Sequence, residues 1–353
     1  MRTAALAGLL LLLLAACAPL TQRAGSPDAG FAGPRLEDRD FISFDGARLG
    51  MQHWDAPGEP WAVVIGLHGM NDYANAFHLA AEHWAGEGVS TYAYDQRGFG
   101  RSPRRGVWPG AALMDEDLRT FAALIRQRFP HAIVAVAGVS MGGAVAIDAF
   151  ASDRPPAADR LVLLSPAVWG WSSQPLTYRA ALWGVAHTAP GLVLQPPSFI
   201  TSHIRASDNT EELVRMGVDP QLIWGARTDA LYGLMNLMQR GWSQTGRLTI
   251  PTFYAYGARD QIIPRGPAFH AAAALPSGDR TAFYARGYHL LLVDLENPVV
   301  WDDVVSFLKA PKAPLPSGAP PIPRSAAAAK ALQDSGPRPT PATVAQPAAA
   351  APG

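Results

Sequence analysis

Short apolar runs recur along the chain, separated by stretches in which apolar positions fall every three or four residues. "WAVVIGL" (Trp61–Leu67), "VSTYAY" (Val89–Tyr94), "AIVAVAG" (Ala132–Gly138), "RLVLLS" (Arg160–Ser165), "TFYAYG" (Thr252–Gly257) and "TAFYA" (Thr281–Ala285) are apolar runs of strand length. Continuous apolar character suits strands buried on both faces of a sheet. Ahead of them, "FISFDGARLGMQHW" places two half-apolar runs around Asp45-Gly46, a hairpin signal. Between the strands, Leu118, Phe121, Ala122, Ile125 and Phe129 share one helical stripe. Further helices are expected from about Asn75 to Gly86, from about Met141, from near Pro264, and from about Pro298 to Lys309. A hairpin followed by alternating strands and helices implies an α/β fold: eight strands, mostly parallel, with helices on both faces. The rhythm breaks at 166–248, where no strand pattern occurs and Trp, Leu and Met are frequent. This stretch is expected to be a helical cap over the C-terminal edge of the strands, where open α/β sheets bind ligands.

The two ends differ from this body. "MRTAALAGLLLLLLAACAPL" has an early Arg2 and an apolar stretch from Ala4 to Ala16. That stretch is shorter than the roughly 20 residues a membrane-spanning helix needs, so 1–16 is expected to be a signal peptide. From about Ala310, proline and alanine dominate. Proline lacks a donor and alanine offers little to bury, so 310–353 is expected to be a disordered tail. Residues 17–34 are expected to be a linker, and 35–309 the folded domain with its cap at 166–248.

Composition narrows the function. The chain of 353 residues has no formal net charge and no long basic block, so no nucleic-acid partner is expected. A single cysteine excludes an internal disulfide framework. No histidine cluster has metal-ligand spacing, and no metal or organic cofactor is expected. No obligate protein partner is inferred.

Candidate chemistry centres on "GVSMG", Gly138–Gly142, a Gly-x-Ser-x-Gly spacing between a predicted strand and a predicted helix. A serine on such a bend is lifted above the sheet, and the next backbone N–H, that of Met141, points at the same place from a helix N-terminus. The alternative is a glycine turn with an inert serine. A serine nucleophile needs a histidine base oriented by a carboxylate. Asp260 and His289 each follow a predicted strand, as Ser140 does, and the order serine, acid, histidine suits this fold. Asp260 could instead be a helix cap, and His289 a core histidine. Asp229 is a weaker acid candidate with no strand before it, His187 and His203 lie in the insertion, and His270 falls within a helix. In "GLHGMNDYANAF", Gly69 lets the loop turn under the serine, and Met70 N–H is the candidate second oxyanion donor. His68 reads as a loop brace.

"HGM" (His68–Met70), "DQRGFGRS" (Asp95–Ser102), "GVSMGG" (Gly138–Gly143), "GARDQIIP" (Gly257–Pro264) and "GYH" (Gly287–His289) occur in that order. The set resembles the α/β-hydrolase branch of monoacylglycerol lipases and lysophospholipases, also called serine aminopeptidase-like hydrolases, over roughly Asp40 to Lys309. The resemblance implies the α/β-hydrolase fold and a triad of Ser140, Asp260 and His289. Asp95–Ser102 reads as loop packing. Lipases of this branch often carry a second histidine soon after His-Gly; here none occurs before His78. "LAAC" (Leu14–Cys17) resembles a bacterial lipobox, implying lipidation at Cys17 and a membrane partner. Ala18 after it resembles outer-membrane sorting, with the domain on the periplasmic face.

These readings lead to a serine ester hydrolase working through an acyl-enzyme, acting on lipid esters such as monoacylglycerols or lysophospholipids. A peptidase or small-ester hydrolase on the same triad stays open. So does a non-catalytic surface lipoprotein that has kept the fold as a binding module.

Overall fold

The computed structural model describes residues 18–195, 204–323, 327–328 and 330–331. The expected signal peptide, Cys17 and His203 lie outside the described residues, as does most of 324–353. The strands are β1 (Arg35–Leu36), β2 (Asp40–Ile42), β3 (Arg48–Trp54), β4 (Ala62–Leu67), β5 (Val89–Tyr94), β6 (Ile133–Val139), β7 (Arg160–Leu164), β8 (Val193–Leu194), β9 (Ala226–Arg227), β10 (Thr252–Gly257) and β11 (Arg280–Tyr284). The helices are α1 (His78–Gly86), α2 (Ala111–Arg128), α3 (Met141–Phe150), α4 (Leu176–Thr188), α5 (Thr210–Val218), α6 (Thr228–Gln244), α7 (Arg265–Ala274) and α8 (Asn297–Lys309).

Among the described residues the main sheet has nine strands, in the order β1-β2-β3-β5-β4-β6-β7-β10-β11. The strands from β4 to β11 in this sheet pair in parallel, and the β2–β3 hairpin joins antiparallel at the β5 side. Eight of these strands match the expected ones. The ninth is the two-residue β1, too short to show a period. The hairpin turns at Gly46, whose φ of +77° suits glycine. β4, β5 and β10 are buried along their whole length, as continuous apolar runs require. One face of the sheet packs against α2, α3 and α7, and the other against α1 and α8. In α2 the stripe holds: Leu118, Phe121, Ala122 and Ile125 are fully buried.

Three expectations are corrected. The insertion does carry strand structure: β8 and β9 form a two-residue antiparallel ribbon between its helices. Nor is 18–34 a free linker. Gln22 is buried, its N–H bonds to Trp108 O at 2.9 Å, its Nε2 to Val107 O at 2.8 Å, and Gly25 N–H to Asp45 Oδ2 at 2.7 Å. Nor does the chain leave the domain at Ala310. Residues 310–323 run back along the sheet edge: Pro320 O accepts from Phe283 N–H at 2.8 Å, and Ile322 N–H bonds to Thr281 Oγ1 at 3.0 Å. Ser317 donates from Oγ and N–H to the buried carboxylate of Asp303, which also accepts from Tyr284 OH. A proline-rich segment can cover an edge strand with its carbonyls alone.

A buried ion cluster joins the hairpin to the body. Arg97 is 3% exposed and bonds in bidentate fashion to both Asp45 and Asp117. Asp117 also accepts from Ser43 Oγ. Burial opposes the ionisation of Asp117, and Arg97 offsets it. Removing the guanidinium leaves two buried carboxylates facing each other, a loss typically of about 3–5 kcal/mol. Arg97→Met is therefore expected to lower unfolding stability by about that much, as read from urea denaturation at neutral pH.

Candidate active site

The turn after β6 is strained, and the surrounding backbone shows why. Ser140 has φ +51° and ψ −115°, a region that costs a non-glycine residue of order 1–3 kcal/mol. Its flanks cannot carry side chains. A Cβ at Gly142 would lie 2.1 Å from Leu67 O, and one at Gly138 would lie 2.6 Å from the Gly142 carbonyl. One at Gly143 would lie 2.7 Å from Pro166 Cβ. Glycine at these positions lets α3 press against β4 and β6, and the bend sets Ser140 at the sheet's C-terminal edge, partly exposed.

His289 and Asp260 arrive at the same edge. His289 Nδ1 donates to Asp260 Oδ2 at 2.9 Å, and both side chains are buried to 5% or less. Asp260 Oδ1 accepts from the N–H groups of Ile262 and Ile263 at 2.7 and 2.9 Å. The carboxylate is thus fixed by backbone on one oxygen and by the imidazole on the other. The Asp260 and His289 loops are tied directly: Ala258 N–H bonds to Tyr284 O and Arg259 N–H to Gly287 O, each at 2.9 Å. A Cβ at Gly257 would lie 2.2 Å from Tyr288 O, so only glycine allows this approach. Asp294 holds the histidine loop from behind, accepting from Tyr288 N–H at 2.7 Å. Burial pushes the Asp294 carboxyl up to about 6.

Ser140 lies at the same edge of the sheet and makes no hydrogen bond to His289 among the described residues. Serine and imidazole often tighten only when substrate binds. The structure brings Asp260 and His289 into contact and sets Ser140 at the same strand ends. Val139 and Leu290, their chain neighbours, line a common cavity.

The loop after β4 lies against the serine. A Cβ at Gly69 would lie 3.5 Å from Ser140 Cβ, which sets this loop against the serine. Among the described residues, the N–H groups of Met70 and Met141 have no backbone or side-chain acceptor. His68 braces the loop: its Nδ1–H donates to Gly69 O at 2.7 Å, and its Nε2 accepts from Gln96 N–H at 2.9 Å. That pairing fixes one neutral tautomer. Burial pushes the His68 imidazole down to about 4. Asp95 is structural as well, accepting from Ala74 and Arg101 N–H at 2.9 Å each.

The insertion 166–248 reaches all three loops. Ile223 N–H bonds to Asn71 O at 3.0 Å, Arg205 N–H to Gln261 Oε1 at 2.7 Å, and Leu290 N–H to Ala206 O at 2.9 Å. Between the insertion and the β4 and β5 loops lies a cavity of about 280 Å³. Met70, Phe99, Trp108, Val193, Ile223 and Trp224 line it. A larger hollow of about 530 Å³ lies at the opposite end of the strands, beside Pro251 and Asp279. Ligand sites of open α/β sheets lie at the carboxyl ends, which favours the cavity at Met70. The other candidates are placed elsewhere. Asp229 is buried in a bidentate pair with Arg227. His187 stacks on Trp183, and His270 on Trp242.

The family described as serine aminopeptidase, S33, matches residues 58–296, more than half of the chain. The chain belongs to the serine aminopeptidase, S33 family. It is 26% identical over 274 residues to a monoacylglycerol lipase of Mycolicibacterium smegmatis, covering 77% of this chain and 96% of that one. It is likewise 26% identical over 262 residues to the monoglyceride lipase of Rattus norvegicus, covering 72% and 84%. Among solved structures, the monoacylglycerol lipase of Paleococcus ferrophilus superposes with a TM-score of 0.60 at 21% identity, over 74% of this chain and 98% of that one. A carboxyl esterase of Bacillus coagulans in complex with glycerol gives 0.64 at 18% identity, over 79% and 99%. This S33 protein is thus a hydrolase with the α/β-hydrolase fold.

Sequence reading missed Ser165. It follows β7 with φ +43°, is fully buried, and its Oγ lacks a hydrogen-bond partner among the described residues. The register Val139↔Leu164 and Ala255↔Leu164 sets it between Ser140 and Tyr256. Its place at the end of "RLVLLS", ahead of Pro166, is the signal that was available.

The neutral His68 gives a pH test. Its folded value lies below the ordinary 6.5, so the unfolded chain takes up the proton first as pH falls. Stability held above pH 6.5 is therefore lost as pH falls toward about 4, by on the order of 3 kcal/mol for this group. Urea midpoints measured across that window are expected to fall more steeply for the parent than for His68→Gln.

Proposed function

We propose that this protein is a serine ester hydrolase that works through an acyl-enzyme on Ser140. The 2.9 Å Asp260–His289 pair, at the same sheet edge as a serine held at φ +51°, carries the reading. His289 Nε2 takes the Ser140 proton as Oγ attacks the ester carbonyl. Asp260 holds the ring through Nδ1 and stabilises the imidazolium. The N–H groups of Met70 and Met141 receive the oxyanion, a contribution of about 10²–10³ in rate per donor. The imidazolium returns its proton to the departing alcohol, and water then cleaves the acyl-enzyme by the same steps in reverse roles.

The substrate we assign is a lipid ester, a monoacylglycerol or lysophospholipid. The mostly apolar lining of the cavity beside Met70 suits an acyl chain, and its volume lies near the lower end of small-molecule sites, roughly 300–1,000 Å³. The curated relatives named as monoacylglycerol and monoglyceride lipases support the same class. We assign the protein to the periplasmic face of the outer membrane, held by acyl chains on Cys17. The lipobox-like "LAAC" and the following Ala18 support that assignment. Two or more chains are needed for stable anchoring.

A fluorophosphonate probe is expected to label the full chain, and Ser140→Ala to abolish the label. Without labelling of the parent, the protein is a binding module. Asp260→Asn is expected to lower kcat by about 10⁴, in line with loss of the orienting carboxylate. In a substrate panel, esters of long acyl chains are expected to exceed acetate in kcat/KM. Preference for acetate, or for peptides with a free amino terminus, rejects the lipid reading.

A further inference from the structure

Large apolar side chains stand exposed on one part of the insertion. Leu176, Trp183, Val193 and Trp224 are 74, 56, 55 and 59% exposed. Leu192 and Leu194 are exposed beside them. The residues are neighbours. On α4, Leu176 and Trp183 are seven apart and share a face. Thr228 Oγ1 donates to Ala189 O just past that helix, and Thr228 N–H bonds to Leu192 O at 2.9 Å. β8 pairs with β9, and Gln195 Nε2 donates to Trp224 O, which sets Trp224 beside Leu192–Leu194. Soluble surfaces seldom gather this much contiguous apolar area without a partner. Val193 and Trp224 also line the cavity beside Met70, so the face borders the cavity's rim. Arg105 flanks the same rim, and Arg104, Arg105 and Arg179 are exposed and form no ion pair among the described residues.

The N-terminal segment meets the domain at the same place. Gln22 is fixed to the carbonyls of Val107 and Trp108, and both residues form the cavity's other wall. Gln22 lies five positions after Cys17. Fully extended, that stretch reaches at most about 18 Å. An acyl anchor on Cys17 therefore holds this wall within that distance of the lipid.

We propose that the apolar face of Leu176, Trp183, Leu192–Leu194 and Trp224 rests on a phospholipid bilayer, with the short tether presenting the cavity rim to the membrane that carries the anchor. The proposal builds on the lipid-ester reading and on the anchor at Cys17. An apolar face with Trp and Leu, and with exposed arginines such as Arg105 and Arg179 that form no ion pair among the described residues, has the composition of an interfacial surface, favouring anionic lipid. An ester embedded in the bilayer then enters the cavity without crossing water.

The chain from residue 17 onward with Cys17→Ser, which lacks both the apolar leader and the anchor, tests the face alone. It is expected to co-float with vesicles of phosphatidylethanolamine and phosphatidylglycerol. Trp183→Glu with Leu192→Glu and Leu194→Glu touches no cavity-lining residue. It is expected to lower the bound fraction about tenfold or more while leaving hydrolysis of a soluble butyrate ester within about twofold. Flotation unchanged in that variant overturns the proposal, as does a parent that hydrolyses the soluble ester yet does not float. A parent that floats without hydrolysing any ester rejects the hydrolase reading and leaves the surface standing. Vesicles with brominated acyl chains check the contact independently of that variant's folding. Their quenching of tryptophan fluorescence is expected to fall in Trp183→Phe with Trp224→Phe, and full retention overturns the contact. In the anchored protein, a long Gly/Ser insert after Ala18 is expected to slow hydrolysis of esters in the carrying bilayer several-fold when combined with the triple variant. Equal rates with and without the insert overturn the role of the tether.

Discussion

The site depends on one close approach of backbone to backbone, that of the first turn of α3 to the end of β4. No side chain fits there: a Cβ at Gly142 would sit 2.1 Å from Leu67 O. This contact forces the chain between β6 and α3 into a bend that Ser140 meets at φ +51°. It also draws the loop after β4 against the serine, where a Cβ at Gly69 would sit 3.5 Å from Ser140 Cβ. The strain of one residue is small against the packing of two elements on either side of it, and the sheet and helix hold the residue there.

The other groups of the site are held by loops rather than by regular structure, and the insertion touches each of those loops. Asn71 O, Gln261 Oε1 and Leu290 N–H each bond to the insertion's backbone. The oxyanion loop, the acid loop and the histidine loop thus share one neighbour. Displacing the insertion removes a backbone partner from all three at once. The geometry of the site and the placement of the cap are therefore one problem in this fold, and an apolar cap face at a lipid surface bears on both.

Much of this was legible in the chain. Long apolar runs marked the buried strands, and the helical stripe of α2 stood out because its period holds for about three turns. Ser140, Asp260 and His289 were legible because strand ends in a parallel sheet share an edge. Other features leave no period. β1, β8 and β9 have two residues each. Gln22 and Ser317 act through two hydrogen bonds each, and 310–323 bonds to β11 through a carbonyl that proline retains, so composition read as disorder where the chain is docked. The strain at Ser165 follows from its position between two other strand ends, which no local pattern records. Gly257 was legible only as a strand end, although it sets the distance between the Asp260 and His289 loops.

The absent Ser140–His289 hydrogen bond follows from the same constraints. The histidine loop is held by Asp294 at Tyr288 N–H, by Arg259 N–H at Gly287 O and by Ala206 at Leu290 N–H. The imidazole is held in turn by Asp260. The serine backbone is equally fixed: its N–H bonds to Leu164 O, and its carbonyl accepts from Gly143, Ala144 and Ala167. Moving either backbone breaks several of these bonds. The freedom left at low cost is rotation of Ser140 about Cα–Cβ, and, beyond that, movement of the histidine loop through the contact at Ala206. The first is a fast, local step. The second couples the Asp260–His289 pair to the cap, because Ala206, the partner of Leu290 N–H, belongs to the insertion. Movement of the cap therefore bears on the histidine loop through Leu290 and on the Asp260 loop through Gln261, while the Asp260 carboxylate stays bonded to the N–H groups of Ile262 and Ile263.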